Sequence, residues 1–136
     1  MSHLLGHTIS NLTINRPSTN YVGLFSYTSG ATISNVGLVG GSVSGHVNVG
    51  GMVGYNSGST ISNVYATGVV SGTGDDVGGL VGYNSRSTFS DAYWDTTTSG
   101  LSTGLSSGSE TGVTGLTTAE LAGGLPSGFD GSVWST

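Results

Sequence analysis

The segment VGGMVGYNSGSTISNV occupies residues 49–64 and has two near copies in the same chain. The copies are YVGLFSYTSGATISNV at residues 21–36 and VGGLVGYNSRSTFSDA at residues 77–92. The three copies start at positions 21, 49 and 77, which are evenly spaced. A fixed period of about 28 residues indicates a repeat protein, in which each unit buries its apolar face against its neighbours.

Each repeat unit contains three short segments with the character of β-strands. In the second unit these segments are Gly50–Tyr55, Thr60–Thr67 and Val69–Ser71, which are rich in β-branched and aromatic residues. The composition of Asn56–Ser59 and Gly72–Asp76 predicts turns between them. Three short strands with turns between them predict one coil of a β-solenoid, with like residues of successive coils about 4.8 Å apart.

The predicted fold class is therefore all-β, a right-handed parallel β-helix (β-solenoid) with about three coils. The coils are residues 21–48, 49–76 and 77–104, inside a solenoid domain of residues 1–104. The first coil has one extra residue before its third strand and one residue fewer after it. The two differences cancel, which stacking requires, because a one-residue slip turns every side chain to the other face.

Four sets of residues recur at the repeat spacing, and three of them predict ladders along the stack. Two sets are apolar and are expected inside, and the third is an aromatic ladder. The alternation around Met52 and Val53 leaves open which of the two points inward. A glycine set predicts positions without room for a Cβ atom. The sets are Ile33/Ile61/Phe89, Leu24/Met52/Leu80, Tyr27/Tyr55/Tyr83 and Gly23/Gly51/Gly79.

The N-terminal part of the chain predicts an irregular or incomplete coil ahead of residues 21–48. Thr8–Leu12 repeats the pattern of Thr32–Val36, but the two segments are closer together than one full period. A strand is expected at Leu12–Ile14, and the turn-rich segment Arg16–Asn20 ends it.

The C-terminal part predicts a cap and tail over residues 105–136. Trp94 replaces Leu38 and Ala66 of earlier coils and is expected to close the last coil, while residues 96–111 have the composition of a loop. Thr117 and Glu120 form a capping box that starts a short helix, which Gly123 and Gly124 should end. The tail adds four spaced apolar residues, Leu125, Phe129, Val133 and Trp134.

Composition excludes several classes of partner. The chain has 2 basic residues against 7 acidic ones, so binding to nucleic acid or to an anionic membrane is not expected. It has no cysteine and therefore no disulfide or thiolate metal site. No apolar run approaches the ~20 residues of a membrane helix, and no signal peptide is expected at the N-terminus.

The tract GGLVGYNSRSTFSDAYWD and its copy GGMVGYNSGSTISNVYATG resemble the GLUG repeat. The tail from Tyr93 onward and the leading segment GHTISNLTIN resemble the flanks of such repeats, so the resemblance covers about residues 6–134. It departs from the motif at Ser26, Arg86 and Asp91. The resemblance implies an extracellular β-helical module of a large bacterial surface protein, of the filamentous-haemagglutinin-like or adhesin kind, without catalytic residues.

The sequence offers few candidates for chemistry. Asp75 and Asp76 could contribute oxygen ligands to Ca²⁺, but a solvated turn is the simpler interpretation. Asp91 and Asp95 flank aromatic residues, an arrangement compatible with the paired carboxylates of a glycosidase, yet Asp91 replaces a turn asparagine. The three histidines occupy unrelated repeat positions. We therefore expect no catalytic residue, no metal and no cofactor.

Two repeated sets are candidate contacts with a glycan or a cell surface. One is the tyrosine ladder Tyr27, Tyr55 and Tyr83, and the other is the threonine set Thr32, Thr60 and Thr88, accompanied by Ser34, Ser62 and Ser90. The leading hypothesis is a structural or adhesive module that is secreted or held at the bacterial surface. The alternatives are a filament subunit that associates through the solenoid ends, an ice-binding protein and a carbohydrate-active enzyme.

Overall fold

A computed structural model describes residues 7–108 and 111–123 of the chain. Within these residues fourteen strands and one short helix form a β-solenoid of about four turns. In chain order they are β1 His7–Ser10, β2 Thr13–Asn15, β3 Phe25–Ser29, β4 Thr32–Val39, β5 Ser42–Gly45, β6 Val49–Gly50, β7 Val53–Ser57, β8 Thr60–Ala66, β9 Val69–Gly72, β10 Val77–Gly78, β11 Val81–Ser85, β12 Thr88–Asp95, β13 Leu105–Ser107, β14 Val113–Leu116 and α1 Thr118–Ala122.

The strands form four parallel sheets that run along the stack. The largest has the order β1-β4-β8-β12-β14, and the others are β13-β11-β7-β3, β2-β5-β9 and β10-β6. Like residues pair at the repeat spacing: Thr60 lies between Thr32 and Thr88, and Tyr55 lies between Tyr27 and Tyr83. The predicted parallel stacking of the repeat units as coils is confirmed.

The coil contains more strand segments than the sequence predicts. The expected strand at Gly50–Tyr55 is divided into β6 and β7, with Gly51 and Met52 in a bend between them. Asn56 and Ser57, for which we predicted a turn, belong to β7. That prediction is wrong because it relied on composition, whereas these residues pair with Asn84 and Ser85 of the next coil.

The long strands bend at one repeated position. Asn35, Asn63 and Asp91 lie inside β4, β8 and β12 with φ of 57°, 53° and 51°. Asparagine and aspartate tolerate this left-handed conformation because their short polar side chains hydrogen-bond locally. Asp91 thus shares a left-handed bend with the asparagines of its set, inside a strand and not in the turn that the sequence predicts.

The compensating loop lengths are also visible in the register. Leu38 pairs with Ala66, which lies one full period later, whereas Ser42 pairs with Val69, one residue short of a full period. The full period returns where Val49 pairs with Val77. The extra residue lies in the turn at Gly40 and Gly41, whose φ values are 65° and 76°.

The core lies inside the coils. Met52 and Val53 both belong to it, since each has 0% exposed surface. Ile33, Ile61 and Phe89 are buried as predicted, and Leu24 packs partly buried against the same cluster. A second, smaller cluster contains Val22, Val43, Val49 and Val70.

The irregular N-terminal coil, ahead of residue 21, stacks in a different register from the one its sequence suggests. His7–Ser10 pairs with Val36–Val39, one residue more than a full period later, so Ile9 lies on Leu38 and not on Ile33. The Thr-Ile-Ser-Asn pattern encodes a short extended segment followed by a left-handed asparagine, here Asn11 with φ of 58°. The pattern specifies this local shape and does not specify the place in the coil.

The stack continues beyond the third coil. Leu105–Ser107 is strand β13 on β11, so the loop predicted over residues 96–111 is wrong there. Trp94 is 5% exposed and its Nε1 donates to the Leu101 carbonyl, 3.3 Å away. It fills the core above Ala66 as predicted, but it does not close the stack, because Gly115 of β14 pairs with it on the far side.

The C-terminal helix begins as the capping box predicts. The Glu120 backbone N–H donates to the Thr117 side chain, and the Thr117 backbone N–H donates to the Glu120 carboxylate. Gly123 is the C-cap. The apolar tail residues Leu125, Phe129, Val133 and Trp134 lie outside the described residues.

Candidate functional site

The tyrosine ladder is formed, and it acquires a fourth ring. The rings of Tyr27 and Tyr55 stack with centroids 5.0 Å apart and planes inclined by 9°. Tyr55 and Tyr83 stack at 4.8 Å and 15°. Tyr21 meets Tyr27 and Tyr55 edge-on, with centroids 6.3 and 5.8 Å away. We call these four residues the aromatic patch.

Tyr21 carries no repeat signal in the sequence. Val22 pairs with Val49, and Val49 pairs with Val77. The residues that precede these valines are Tyr21, Asn48 and Asp76, so the position is not aromatic in later coils. All three residues have positive φ, between 59° and 61°. A tyrosine in the left-handed region is uncommon, and the edge-on contacts of its ring help to compensate for the strain.

Stacking limits how the aromatic patch can meet a ligand. Tyr55 has a ring on each side, so its faces are covered and its edge is what faces the surroundings. Tyr27 lies on β3, the outer strand of its sheet among the described residues, and is 55% exposed. At the other end of the ladder Tyr83 is half-buried and pairs with Ser107 of β13. A sugar ring that stacks on an aromatic face would therefore find Tyr27 the more accessible end, with Tyr21, 45% exposed, beside it.

The environment of Tyr55 makes the ladder sensitive to alkali. Desolvation, and then the neighbouring Tyr83, Tyr27 and Tyr21, raise the pKa of the Tyr55 phenol above its ordinary value of 10.0. The folded protein thus holds this proton more tightly than the unfolded chain. The corresponding stabilisation is complete below about pH 10 and is lost as the pH rises through the folded-state pKa.

We expect stability to fall as the pH is raised above about 10, and to fall less in a Tyr55→Phe variant. The variant keeps the stacked ring and lacks the ionising group. Urea unfolding followed by circular dichroism at about pH 8 and at about pH 11 measures both proteins, and an equal loss in both would contradict this cause. Burial also raises the pKa of Tyr65. Because Tyr65 is present in both proteins, it does not account for a difference between them.

The threonine set forms an exposed column on another sheet. Thr32, Thr60 and Thr88 pair in register and are exposed, and each precedes a buried apolar residue. Ser34, Ser62 and Ser90 form a parallel column two residues further along the strands. The outer face of this part of the sheet therefore carries regularly placed hydroxyl groups.

A buried polar ladder inside the solenoid was not predicted. The Thr28 hydroxyl donates to Asn56 Oδ1 over 2.6 Å, and Asn56 Nδ2 donates to Asn84 Oδ1 over 3.2 Å. Asn56 has 0% exposed surface. The three residues occupy the same position in their repeats, which could have indicated the ladder. It was missed because the first of them is a threonine and because the surrounding composition is typical of a turn. Because the ladder is enclosed, it serves the fold and cannot contact a ligand.

The acidic candidates make hydrogen bonds within the fold. The backbone carbonyls of Asp75 and Asp76 accept from Asn48 N–H and Val49 N–H, at the corner between coils. Asp95 is 1% exposed and accepts from Thr97 N–H, Thr98 N–H and the Thr118 hydroxyl, which ties α1 to the stack. In the described ranges, no group of three or more histidine, aspartate or glutamate side chains could hold a metal ion.

Asn48 carries a polar atom that the fold leaves unsatisfied. Its Oδ1 is buried and accepts no hydrogen bond from the described residues, and its φ of 59° suits glycine. We expect Asn48→Gly to raise the free energy of unfolding by about 1 kcal/mol, because removing the buried oxygen outweighs the entropy cost of glycine. Denaturant unfolding measures this gain. Asn63→Gly, at another left-handed position with a half-buried side chain, should give no gain, and a destabilised Asn48→Gly would refute the explanation.

The fold and its ladders define a class: this chain is a β-solenoid repeat module whose regular features are mainly structural. Residues 45–71 match the family model of the GLUG motif. Gly45 pairs with Gly72, so the matched stretch covers one coil. GLUG is a repeat motif of bacterial surface and haemagglutinin-like proteins, and the fold and motif together fit a structural module of a surface protein.

Two further comparisons found no relatives. Neither a curated protein nor a solved structure gave a significant match to the chain. No helix among the described residues is long and apolar enough to cross a membrane.

Proposed function

We propose that the chain is a rigid scaffold module of a secreted bacterial surface protein, which spaces and displays other binding parts. The observation that carries the proposal is the register: like residues pair from β3 through β7 to β11 and from β4 through β8 to β12 without a break in either sheet. An unbroken parallel stack around a buried core resists bending, because each coil is fixed by its neighbours.

The polar ladders support the same role. The Ala31 and Ser59 N–H groups donate to the hydroxyls of Ser59 and Ser87 in the next coil, 3.1 and 3.0 Å away. Together with the Thr28, Asn56 and Asn84 ladder, these bonds join successive coils by side chains as well as by backbone. Such bonds add stiffness along the stack and need no ligand.

Hydrogen exchange and ligand screening test the proposal together. A rigid scaffold predicts slow amide exchange throughout β3–β12 and no saturable binding to a glycan array. Fast exchange in the middle coil, β6–β9, would refute rigidity. Saturable glycan binding would favour an adhesive role instead.

An adhesive contact through the aromatic patch is the second candidate, and the exposure of Tyr27 and Tyr21 favours it. A sugar ring stacks on the face of an aromatic ring, and Tyr27 is the more exposed of the two ends of the ladder. Glycan binding at this site should be lost in Tyr27→Ala and retained in Thr60→Ala. Binding lost in Thr60→Ala would point to the hydroxyl columns, for which thermal hysteresis of the freezing point tests the ice-binding alternative.

A further inference from the structure

One end of the solenoid has a coil that lacks a strand among the described residues. At the N-terminal end, β1 pairs with β4 and β2 pairs with β5, so two sheets extend into the irregular N-terminal coil. The third sheet does not, because β3 pairs with β7 and has no second neighbour within residues 7–108 and 111–123. In the part of the chain that the structure describes, the backbone edge of Phe25–Ser29 is therefore open beside two sheets that continue.

The core is also open at this edge. Phe25 lies in one column with Val53, Val81 and Leu105. Val53 and Val81 are 0% exposed and Leu105 is 3% exposed, whereas Phe25 is 39% exposed. Phe25 is thus a core residue by position that lacks the covering layer its equivalents have.

The charge distribution fits an apolar occupant at this edge. All seven acidic residues lie at Asp75 or later in the chain, and Arg16 is the one charged residue before them. The open edge therefore presents Phe25, Tyr27 and Tyr21 in the half of the chain that has no carboxylate side chain. At the other end of the same column, Leu105 is already covered.

We infer that the free edge of β3 binds one extended strand from another coil of the same repeat type. The strand runs parallel to β3 and places an apolar side chain on Phe25 and an aromatic ring on Tyr27. This is the arrangement that β3 itself makes on β7, where Phe25 lies on Val53 and Tyr27 stacks on Tyr55. Addition of a strand to an open sheet edge is a general mode of peptide recognition.

The register defines how such a strand can be supplied. Strands β1 and β2 pair with the next coil at an interval of one period plus one residue, as in the pairs His7–Val36 and Thr13–Ser42. A strand placed at the same interval before Phe25–Ser29 falls ahead of residue 1. Fusing a copy of residues 49–57, VGGMVGYNS, directly before Met1 therefore places the copied tyrosine at this interval before Tyr27.

The fusion protein tests the inference in comparison with a matched control. The control carries the same segment with aspartate at the two positions that would lie on Phe25 and Tyr27. We expect the fusion to raise Tm by about 4 °C or more over the unmodified protein and to slow hydrogen exchange in β3, and the control to do neither. Phe25→Lys should remove the gain of the fusion, whereas Val69→Lys, at an exposed valine of β9, should keep it.

Three results would overturn the inference. The fusion and its aspartate control could have the same Tm, or the gain could survive Phe25→Lys. The unmodified protein could also form a dimer in a mass determination that Phe25→Lys dissociates and the fusion does not. That last result would assign the edge to the β3 strand of a second copy instead of a parallel strand of a further coil.

Discussion

Gly82→Ala is expected to abolish the native fold or to cost about 3 kcal/mol or more, the upper range for overpacking. A Cβ atom at Gly82 would lie 2.6 Å from the Gly54 carbonyl oxygen, 2.6 Å from the Val49 nitrogen and 2.7 Å from the Asn48 carbonyl carbon. All three are backbone atoms of neighbouring segments, so no side chain can rotate away. Relief would require the backbones of successive coils to separate, which would break the ladders between them.

Denaturant unfolding followed by circular dichroism measures this cost, and Gly58→Ala is the control. Gly58 has φ of 60° but nothing within 4 Å of a Cβ atom. Alanine there suffers only the left-handed backbone, about 1–2 kcal/mol. If Gly82→Ala were no more damaging than Gly58→Ala, the close approach of backbone between coils would be disproved.

Asn56→Ala is expected to lower the free energy of unfolding by about 3 kcal/mol. The substitution leaves the Thr28 hydroxyl without its acceptor and Asn84 Oδ1 without its donor in the interior. Each buried polar group that loses its partner costs about 1–3 kcal/mol. A cavity at a site with 0% exposure adds to the loss.

Ser57→Ala is the matched control for the polar ladder. Ser57 is the next residue of β7 and is half-buried, so its hydroxyl is not enclosed by the core. We expect this change to alter stability by about 0.5 kcal/mol or less. Chemical denaturation of the two variants side by side gives the comparison, and equal losses would mean that the ladder contributes nothing specific.

The architecture could be predicted because a repeat protein contains its long-range pairing in its own periodicity. The constant spacing of Tyr27, Tyr55 and Tyr83 was enough to place three rings in one stack. The loop lengths around Gly40 also indicated stacking. One loop is a residue longer and the next a residue shorter, and only coils that stack in register require these differences to cancel. The alignment of Asp91 with Asn35 and Asn63 also indicated a shared structural role, which is a left-handed bend inside the strand and not a turn.

Features that depend on one coil alone were predicted less well. The pattern of Thr8–Leu12 encodes a strand and a bend, and its register on the next coil depends on packing that composition does not reveal. Leu105–Ser107 lies in a serine- and glycine-rich stretch and becomes a strand because β11 offers it an edge. The composition around Asn56 predicts a turn. The asparagine is instead buried in a strand, where it is stable because its ladder neighbours Thr28 and Asn84 are present.

The candidate contact surface was predicted in part for the same reason. Repeat spacing identified the tyrosine and threonine sets, but Tyr21 has no counterpart in later coils and joins the aromatic patch through the path of the chain. Which tyrosine offers a free face depends on which strand is outermost. Periodicity treats the coils as equivalent and cannot distinguish the end of a stack from its middle.

Insertion of one complete coil tests the stacking of the coils most directly. A copy of residues 49–76 placed after Asp76 adds one period, and a copy of residues 49–62 at the same site adds half a period. Thermal unfolding followed by circular dichroism should show that the full insertion leaves the β-spectrum unchanged and raises Tm, because every coil keeps its register and one interface is gained. A full insertion that lowers Tm as much as the half insertion would contradict the stacked solenoid.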